Sequence, residues 1–201
     1  MRVAVLASGR GSNFQSILDA SERGKLPNCK IKLLIVNKKE AYAIERAKKH
    51  NVPYYIIESD NKKREEFDLE MLEILKSNQI EIVVLAGFMR ILSKQFISEY
   101  KNKIINIHPS LLPEFPGAHA HRDAIEAKAK ISGCTVHFVD EGVDTGPIIM
   151  QESVAVGRDD DEHTLSEKIL PIEHKIYPKV LDLLTSNKIK IINGKVITET
   201  D

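Results

Sequence analysis

The sequence predicts an α/β protein: a Rossmann-like, mostly parallel sheet with helices on both faces. Three observations predict it. Short strands that are apolar throughout, not alternating, recur along the first half, as expected of strands covered on both sides. Helical patterns fall between them, giving repeated βα units. The first strand also runs into a glycine loop, Ser8-Gly9-Arg10-Gly11-Ser12-Asn13, that opens a helix.

The elements follow in order. The run 2–7 (RVAVLA) is the first strand, and the helix after the glycine loop carries Ile17 and Leu18 and stops before Gly24. KIKLLIV (30–36) is the second strand, and EAYAIERAKKHN (40–51) is a helix ended by Pro53, since proline disfavours helix at the residue before it. VPYYII (52–57) reads as strand. KREEFDLEMLEILKSN (63–78) is the strongest helix, with Phe67, Met71, Leu72 and Leu75 at helical spacing. Strand 80–88, helix 93–100 and strand 102–108 complete this half. The second half changes character. Strands 133–140 and 146–156, joined by the turn-rich EGVDTG, form a long antiparallel pair. The helical pattern 163–187 contains Pro171 and Pro178, which are expected to kink or divide it. KIIN-GK-VITET closes the chain as a hairpin with a glycine turn.

At 201 residues the chain suits one substantial core, read as a single domain over 1–201 with a nucleotide-binding-like half (1–108) and a second half (109–201). Lys+Arg and Asp+Glu both number 29, so the net charge is zero, and neither a nucleic-acid glove nor a membrane surface is expected. The longest apolar stretch, IVVLAGFM (82–89), falls far short of the roughly 20 residues that span a bilayer. The N-terminal apolar run is too short for a secretory signal. Cys29 and Cys134 lack CxxC spacing and fit reduced thiols in a cytoplasmic protein.

Two stretches carry chemistry. In the glycine loop, two glycines permit a sharp turn and close approach of a ligand, and the helix start favours an anion. A tight turn with Ser12 or Asn13 as helix cap is the competing reading. It is not a dinucleotide fingerprint, because Phe14 holds the third glycine position and the second strand ends in Val36-Asn37-Lys38 instead of an acid. A single phosphate fits better. The second stretch is INIHPSLLPEFPGAHAHR (105–122). Strand alternation puts Asn106 and His108 on one face at a carboxyl end, where open α/β sheets bind ligands. Pro109 and Pro113 fix the departing chain. An amide donor beside a titratable imidazole suits stabilisation of an oxyanion, and a nearby carboxylate, offered by Asp144 in EGVDTGP, would raise the imidazole pKa. An ordinary turn carboxylate is the plainer reading of Asp144. His119 and His121 lack the ligand spacing of a zinc site, and no Gly-x-Ser-x-Gly elbow exists.

SGRGSNFQ (8–15), LAGFMRIL (85–92), INIHPSLLPEFPGAHAHRDAIEA (105–127) and GCTVHFVDEGVDTGPIIMQ (133–151) closely resemble the phosphoribosylglycinamide formyltransferases, along essentially the whole chain. The resemblance implies a formyltransferase fold. It also implies transfer of the formyl group of 10-formyltetrahydrofolate, the co-substrate, to a glycinamide amine in purine synthesis, without a metal. Carried over by position, Asn106, His108 and Asp144 match the catalytic trio, with a protonated His108 expected at the oxyanion. Gly11, Ser12 and Asn13 match the loop that grips the ribonucleotide phosphate, and Glu173 the carboxylate that orients the glycinamide. Arg64, Met89, Arg90, Ile91, Leu92, Asn106, Asp140, Glu141 and Val143 match the folate side. Leu170 stands where some members carry a cation, leaving Arg10 as a candidate substitute. The implied partners are small molecules, with no nucleic acid or membrane, and a monomer or weak homodimer. Methionyl-tRNA formyltransferase and formyltetrahydrofolate deformylase resemble the catalytic half but carry additional domains. The deformylase, or another folate-dependent formyltransferase, is the alternative reading.

Overall fold

The computed structural model describes residues 1–58 and 62–199. The chain divides into two compact units, Met1–Asn106 and Ile107–Asp201. In the first, β1 (Arg2–Ala7), α1 (Ser12–Glu22), β2 (Lys30–Val36), α2 (Ala43–Lys49), β3 (Tyr54–Ile56), α3 (Arg64–Ser77), β4 (Ile82–Leu85) and α4 (Lys94–Glu99) lead into β5 (Ile104–His108), within which the division falls.

The apolar runs form these strands because both faces are covered: Val3 to Ala7 and Leu33 to Val36 have no exposed surface. The strands are parallel and ordered β3-β2-β1-β4-β5. The chain therefore steps outward from β1 to β3, then crosses back to lay β4 on the other side of β1. Right-handed crossovers place α1 and α2 on one face and α3 and α4 on the other. The packing agrees, since α1 meets α2 and α3 meets α4. The predicted stripe of α3 is buried in full, Phe67, Met71, Leu72 and Leu75 included. The strand expected over 52–57 is only three residues long, all exposed, on the sheet edge.

In the second unit, α5 (Ala120–Glu126) precedes β6 (Ile131–Phe138) and β7 (Ile148–Ala155), which pair antiparallel with an irregularity at Val136/His137. Next comes α6 (Glu162–Thr185), capped by Asp161, whose carboxylate accepts from the Thr164 amide at 2.8 Å. The expected division at the prolines does not occur: α6 runs undivided through Pro171 and Pro178. Each proline removes one N–H from the helix ladder, but the helix is held from outside, packing on β6, β7 and α5. Hairpin β8 (Ile189–Ile192) and β9 (Lys195–Thr198) turns through Asn193 and Gly194, both left-handed at φ 52° and 76°.

Candidate active site

The first unit reverses its strand order between β1 and β4, and a cavity of about 260 Å³ lies there. Its walls are the glycine loop from Ser8 to Asn13, the segment after β4 (Ala86, Gly87, Met89), and Lys38. This is the switch point where open α/β sheets bind ligands. The loop is fixed on every side. Ser8 donates its amide to the Gly87 carbonyl at 3.1 Å, and its hydroxyl accepts from the Met89 amide at 2.8 Å. The Ala43 amide donates to the Gly9 carbonyl, and Arg46 Nε to the Arg10 carbonyl at 2.9 Å.

Gly11 caps α1 at φ 65°, and a Cβ there would stand 2.7 Å from Ala43 Cβ. Conformation and close packing both require glycine. Neither Ser12 nor Asn13 is the cap, and the cap residue makes no side-chain hydrogen bond to the helix. The helix start favours an anion, with Arg10 and Lys38 as the cations in the same cavity and no acid among its walls. Sequence reasoning quoted Lys38 only as a missing acid. The legible signal was a cation at the end of the strand beside a phosphate-type loop.

Among the residues matched to the folate side, Met89 and Ile91 are exposed at 68% and 55%, whereas Leu92 is core. Arg90 lies over the Phe67 ring, 4.4 Å from its centroid, and Arg64 is the first residue of α3. Both arginines act on Asp68, buried in α3, whose carboxylate accepts from the Ser93 amide at 2.5 Å. Burial pushes the Asp68 carboxyl up, against the pull of Ser93, Arg90 and Arg64.

The second constellation, His108 with Asp144 and His137, lies in the other unit. Asn106 and His108 are alternate residues of β5. His108 is 4% exposed. Its Nε2 is 2.8 Å from the Phe115 carbonyl, and its Nδ1 is 3.3 Å from Asp144 Oδ2. A carbonyl only accepts, so Nε2 carries a proton. Asp144 takes the left-handed conformation (φ 55°) and also accepts from the Gly117 amide at 2.8 Å. A buried His137 places Nε2 3.6 Å from Asp144 Oδ1 while its Nδ1 donates to the Phe138 carbonyl at 2.8 Å. One carboxylate thus stands between two buried imidazoles.

Burial pushes the His108 imidazole below its ordinary pKa. The Phe115 carbonyl and the Asp144 charge act upward without prevailing, and His137 adds to the downward push. This differs from the raised pKa expected from a neighbouring carboxylate: Asp144 acts in the expected sense, but the cost of charging a buried ring is larger. Burial also acts upward on the Asp144 carboxyl. The His137 side chain, the Gly117 amide and the two imidazole charges together hold it below the usual range. The pair is therefore a carboxylate beside a neutral imidazole poised to take a proton.

The turn after β6 is tied internally, with Asp140 accepting from the Gly142 amide at 3.1 Å and the Thr145 hydroxyl at 2.7 Å. Glu141 and Val143 are exposed on it. Glu173 is buried on α6, near enough to Cys134 to act on its thiol. Burial first, then Glu173 and Glu152, push that thiol up to about 12, which makes Cys134 an inert core residue. His119 is exposed at the start of α5, so the helix opens just ahead of His121. Among the described residues no group of three or more His, Cys, Asp or Glu is placed to hold a metal, and no helix is long and apolar enough to cross a membrane. Gly117 and Phe115 went unread in the sequence, because both act through backbone groups that leave no residue signature.

Residues 1–181 match the formyl transferase family. The chain is 46% identical over 194 residues to the trifunctional purine biosynthetic protein adenosine-3 of Drosophila pseudoobscura pseudoobscura, covering 96% of this chain and 14% of that protein. It spans between 14% and 20% of the length of such curated relatives. Glycinamide ribonucleotide transformylase 1 from Symbiobacterium toebii superposes with a TM-score of 0.96 at 39% identity, over 100% of this chain and 94% of that one. A formyltetrahydrofolate deformylase from Pseudomonas syringae pv. tomato gives 0.93 at 29% identity, over 99% of this chain and 66% of that one. With the family matched over nine-tenths of its length and strand order and glycine loop in place, this chain belongs to the formyl transferase family.

Proposed function

We propose that this chain is a phosphoribosylglycinamide formyltransferase, moving the formyl group of 10-formyltetrahydrofolate to the amine of 5'-phosphoribosylglycinamide in purine biosynthesis. The observation that carries the chemistry is the pairing of buried His108, at the end of β5, with Asp144. The amine nitrogen adds to the formyl carbon and the carbonyl electrons move to oxygen. The His108–Asp144 pair takes up the proton released by that amine. The imidazolium so formed stabilises the oxyanion together with the Asn106 amide. Its proton then goes to the folate nitrogen as the old C–N bond breaks, giving tetrahydrofolate. Neutral His108 at rest suits this order, since the ring must first accept a proton.

The phosphate of the ribonucleotide sits on the Gly11, Ser12 and Asn13 amides, with Arg10 and Lys38 as counter-charges in the absence of a cation at Leu170. Glu173 orients the glycinamide. Arg64, Met89, Arg90, Ile91, Leu92, Asn106, Asp140, Glu141 and Val143 serve the folate. Both units work as one formyltransferase domain, in the cytoplasm, as a monomer or weak homodimer without nucleic-acid or membrane partners, a reading supported by the zero net charge.

Absorbance of the folate, followed with and without the ribonucleotide, tests the assignment. Turnover only with the acceptor is expected. Steady hydrolysis without it would make the chain a deformylase, and no turnover in either condition would overturn both readings.

A further inference from the structure

The HPSLLPEF segment is tied back on itself beside His108. The Ser110 side chain has no exposed surface, and its hydroxyl donates to the Glu114 carbonyl and, at 3.2 Å, to the Phe115 carbonyl. That second carbonyl is the one bonded by His108 Nε2 at 2.8 Å. Phe115 presents it from the left-handed region (φ 53°), which a bulky residue adopts only when its surroundings impose it. The surroundings here are a partly buried network. Thr135 Oγ1 donates to the Ser110 carbonyl at 2.6 Å and accepts from the Leu112 amide at 3.0 Å. Gln151 Nε2 donates to the Leu112 carbonyl and to Thr135 Oγ1, both at 2.9 Å.

We propose that the Ser110 hydroxyl and the Phe115 carbonyl are positioning groups that hold His108 in its Nε2-protonated form, leaving Nδ1, opposite Asp144, as the nitrogen that takes and returns the proton. This rests on the reading of His108 as a catalytic residue. A neutral imidazole has one N–H, and whichever nitrogen is bonded to a carbonyl must carry it. The backbone carbonyl thus selects the tautomer, and the Ser110 hydroxyl fixes the turn that aims the carbonyl. The titratable groups facing His108 are Asp144, His137 and His121. Asp144 favours a proton on His108, the two imidazoles oppose it, and the Phe115 carbonyl acts with Asp144.

Nitrogen-15 spectra of histidine-labelled protein, assigned with His108→Gln, read the tautomer directly. The wild type is expected to show His108 protonated at Nε2 above its pKa. In Ser110→Ala the two tautomers mix, the His108 pKa moves down, the acid limb of kcat moves with it, and kcat falls about 10-fold, the upper end of the worth of one hydrogen bond between neutral groups. Ser110→Cys, of similar size with a weaker donor, falls between. An Nδ1-protonated ring in the wild type overturns the proposal, and that measurement needs no variant to fold. A Ser110→Ala enzyme with unchanged tautomer and pH profile overturns it as well. Failure of the catalytic reading shows separately, as formyl transfer that survives His108→Gln.

Discussion

At His108 two effects of opposite sign meet, and the larger decides the chemistry. Burial disfavours the charged ring more than the Phe115 carbonyl and Asp144 favour it, so the resting group is a base. Asp144→Asn keeps an oxygen for the Gly117 amide but removes the charge that supports the imidazolium. The His108 pKa should move further down, and kcat should fall roughly 10²–10³-fold, the usual cost of losing one element of oxyanion stabilisation. A pH profile of kcat for both proteins checks this, and an unchanged profile would separate Asp144 from the proton step. On the proposed function Lys38 acts in binding instead. Lys38→Ala should raise KM for the ribonucleotide about 10-fold and leave kcat nearly unchanged, because a phosphate contact is made equally in ground and transition states. Equal loss in kcat would show that the lysine acts on the reacting end. At this scale the His108–Asp144 pairing and the left-handed glycine at Gly11 were legible, since each needs its own side chain, or in glycine's case the lack of one, at a strand end or turn. The tautomer of His108 was not, because a backbone carbonyl seven residues on sets it.

The elements were legible where periodicity was strong and misread where packing overrides local preference. α3 shows both. Its apolar spacing fixed Phe67, Met71, Leu72 and Leu75 in the core, but the same face carries Asp68. A carboxylate inside an apolar stripe is itself a signal: it has to be bonded where it is buried, and here it holds the Ser93 amide just beyond Met89 to Leu92. Asp68→Ala leaves that amide without its acceptor and removes the charge on which Arg64 and Arg90 act, which should destabilise the protein by about 1–3 kcal/mol. It should also raise KM for the formyl folate while leaving KM for the ribonucleotide unchanged. Thermal denaturation and the two KM values test the pair of effects, and a rise in both KM values would mean general loosening rather than a link to the 89–92 segment. α6 is the opposite case. Two prolines argued for a kink or a division; no division occurs, and Pro178 is buried with Ile176, Tyr177, Val180 and Leu181. Each of these side chains, fully buried, is worth about 1.5–3 kcal/mol or adds similar area, which exceeds the lost helix bonds.

For the molecule as a whole, continuous apolar strands predicted a mostly parallel sheet, and the glycine loop predicted where a ligand would meet it. The strand order itself is a global property; it follows from right-handed crossovers only once the reversal after β3 is known. The same folding that buries the chemistry gives the whole chain a pH signature. Burial lowers the pKa of both His108 and His121, with Glu162 opposing it at His121. The unfolded chain, with ordinary imidazoles near 6.5, therefore binds protons that the folded chain refuses once pH drops below about 6.5. Stability must rise with pH through that window and level off above it. Asp144 acts lower down. Its depressed pKa contributes stability that is complete above the ordinary carboxylate value near 4 and is lost as pH falls through the folded value. Denaturant midpoints should thus decline in two stages, first below about pH 6.5 and again below about pH 4. His121→Gln removes one of the two imidazoles, and with it the opposition it offers to a proton on His108, so it should flatten the first stage by up to about 1.4 kcal/mol per pH unit and leave the second in place. A wild-type profile that is level from pH 5 to 7 would mean that these rings are not held neutral by burial, and the proton-accepting role of His108 would lose its physical basis.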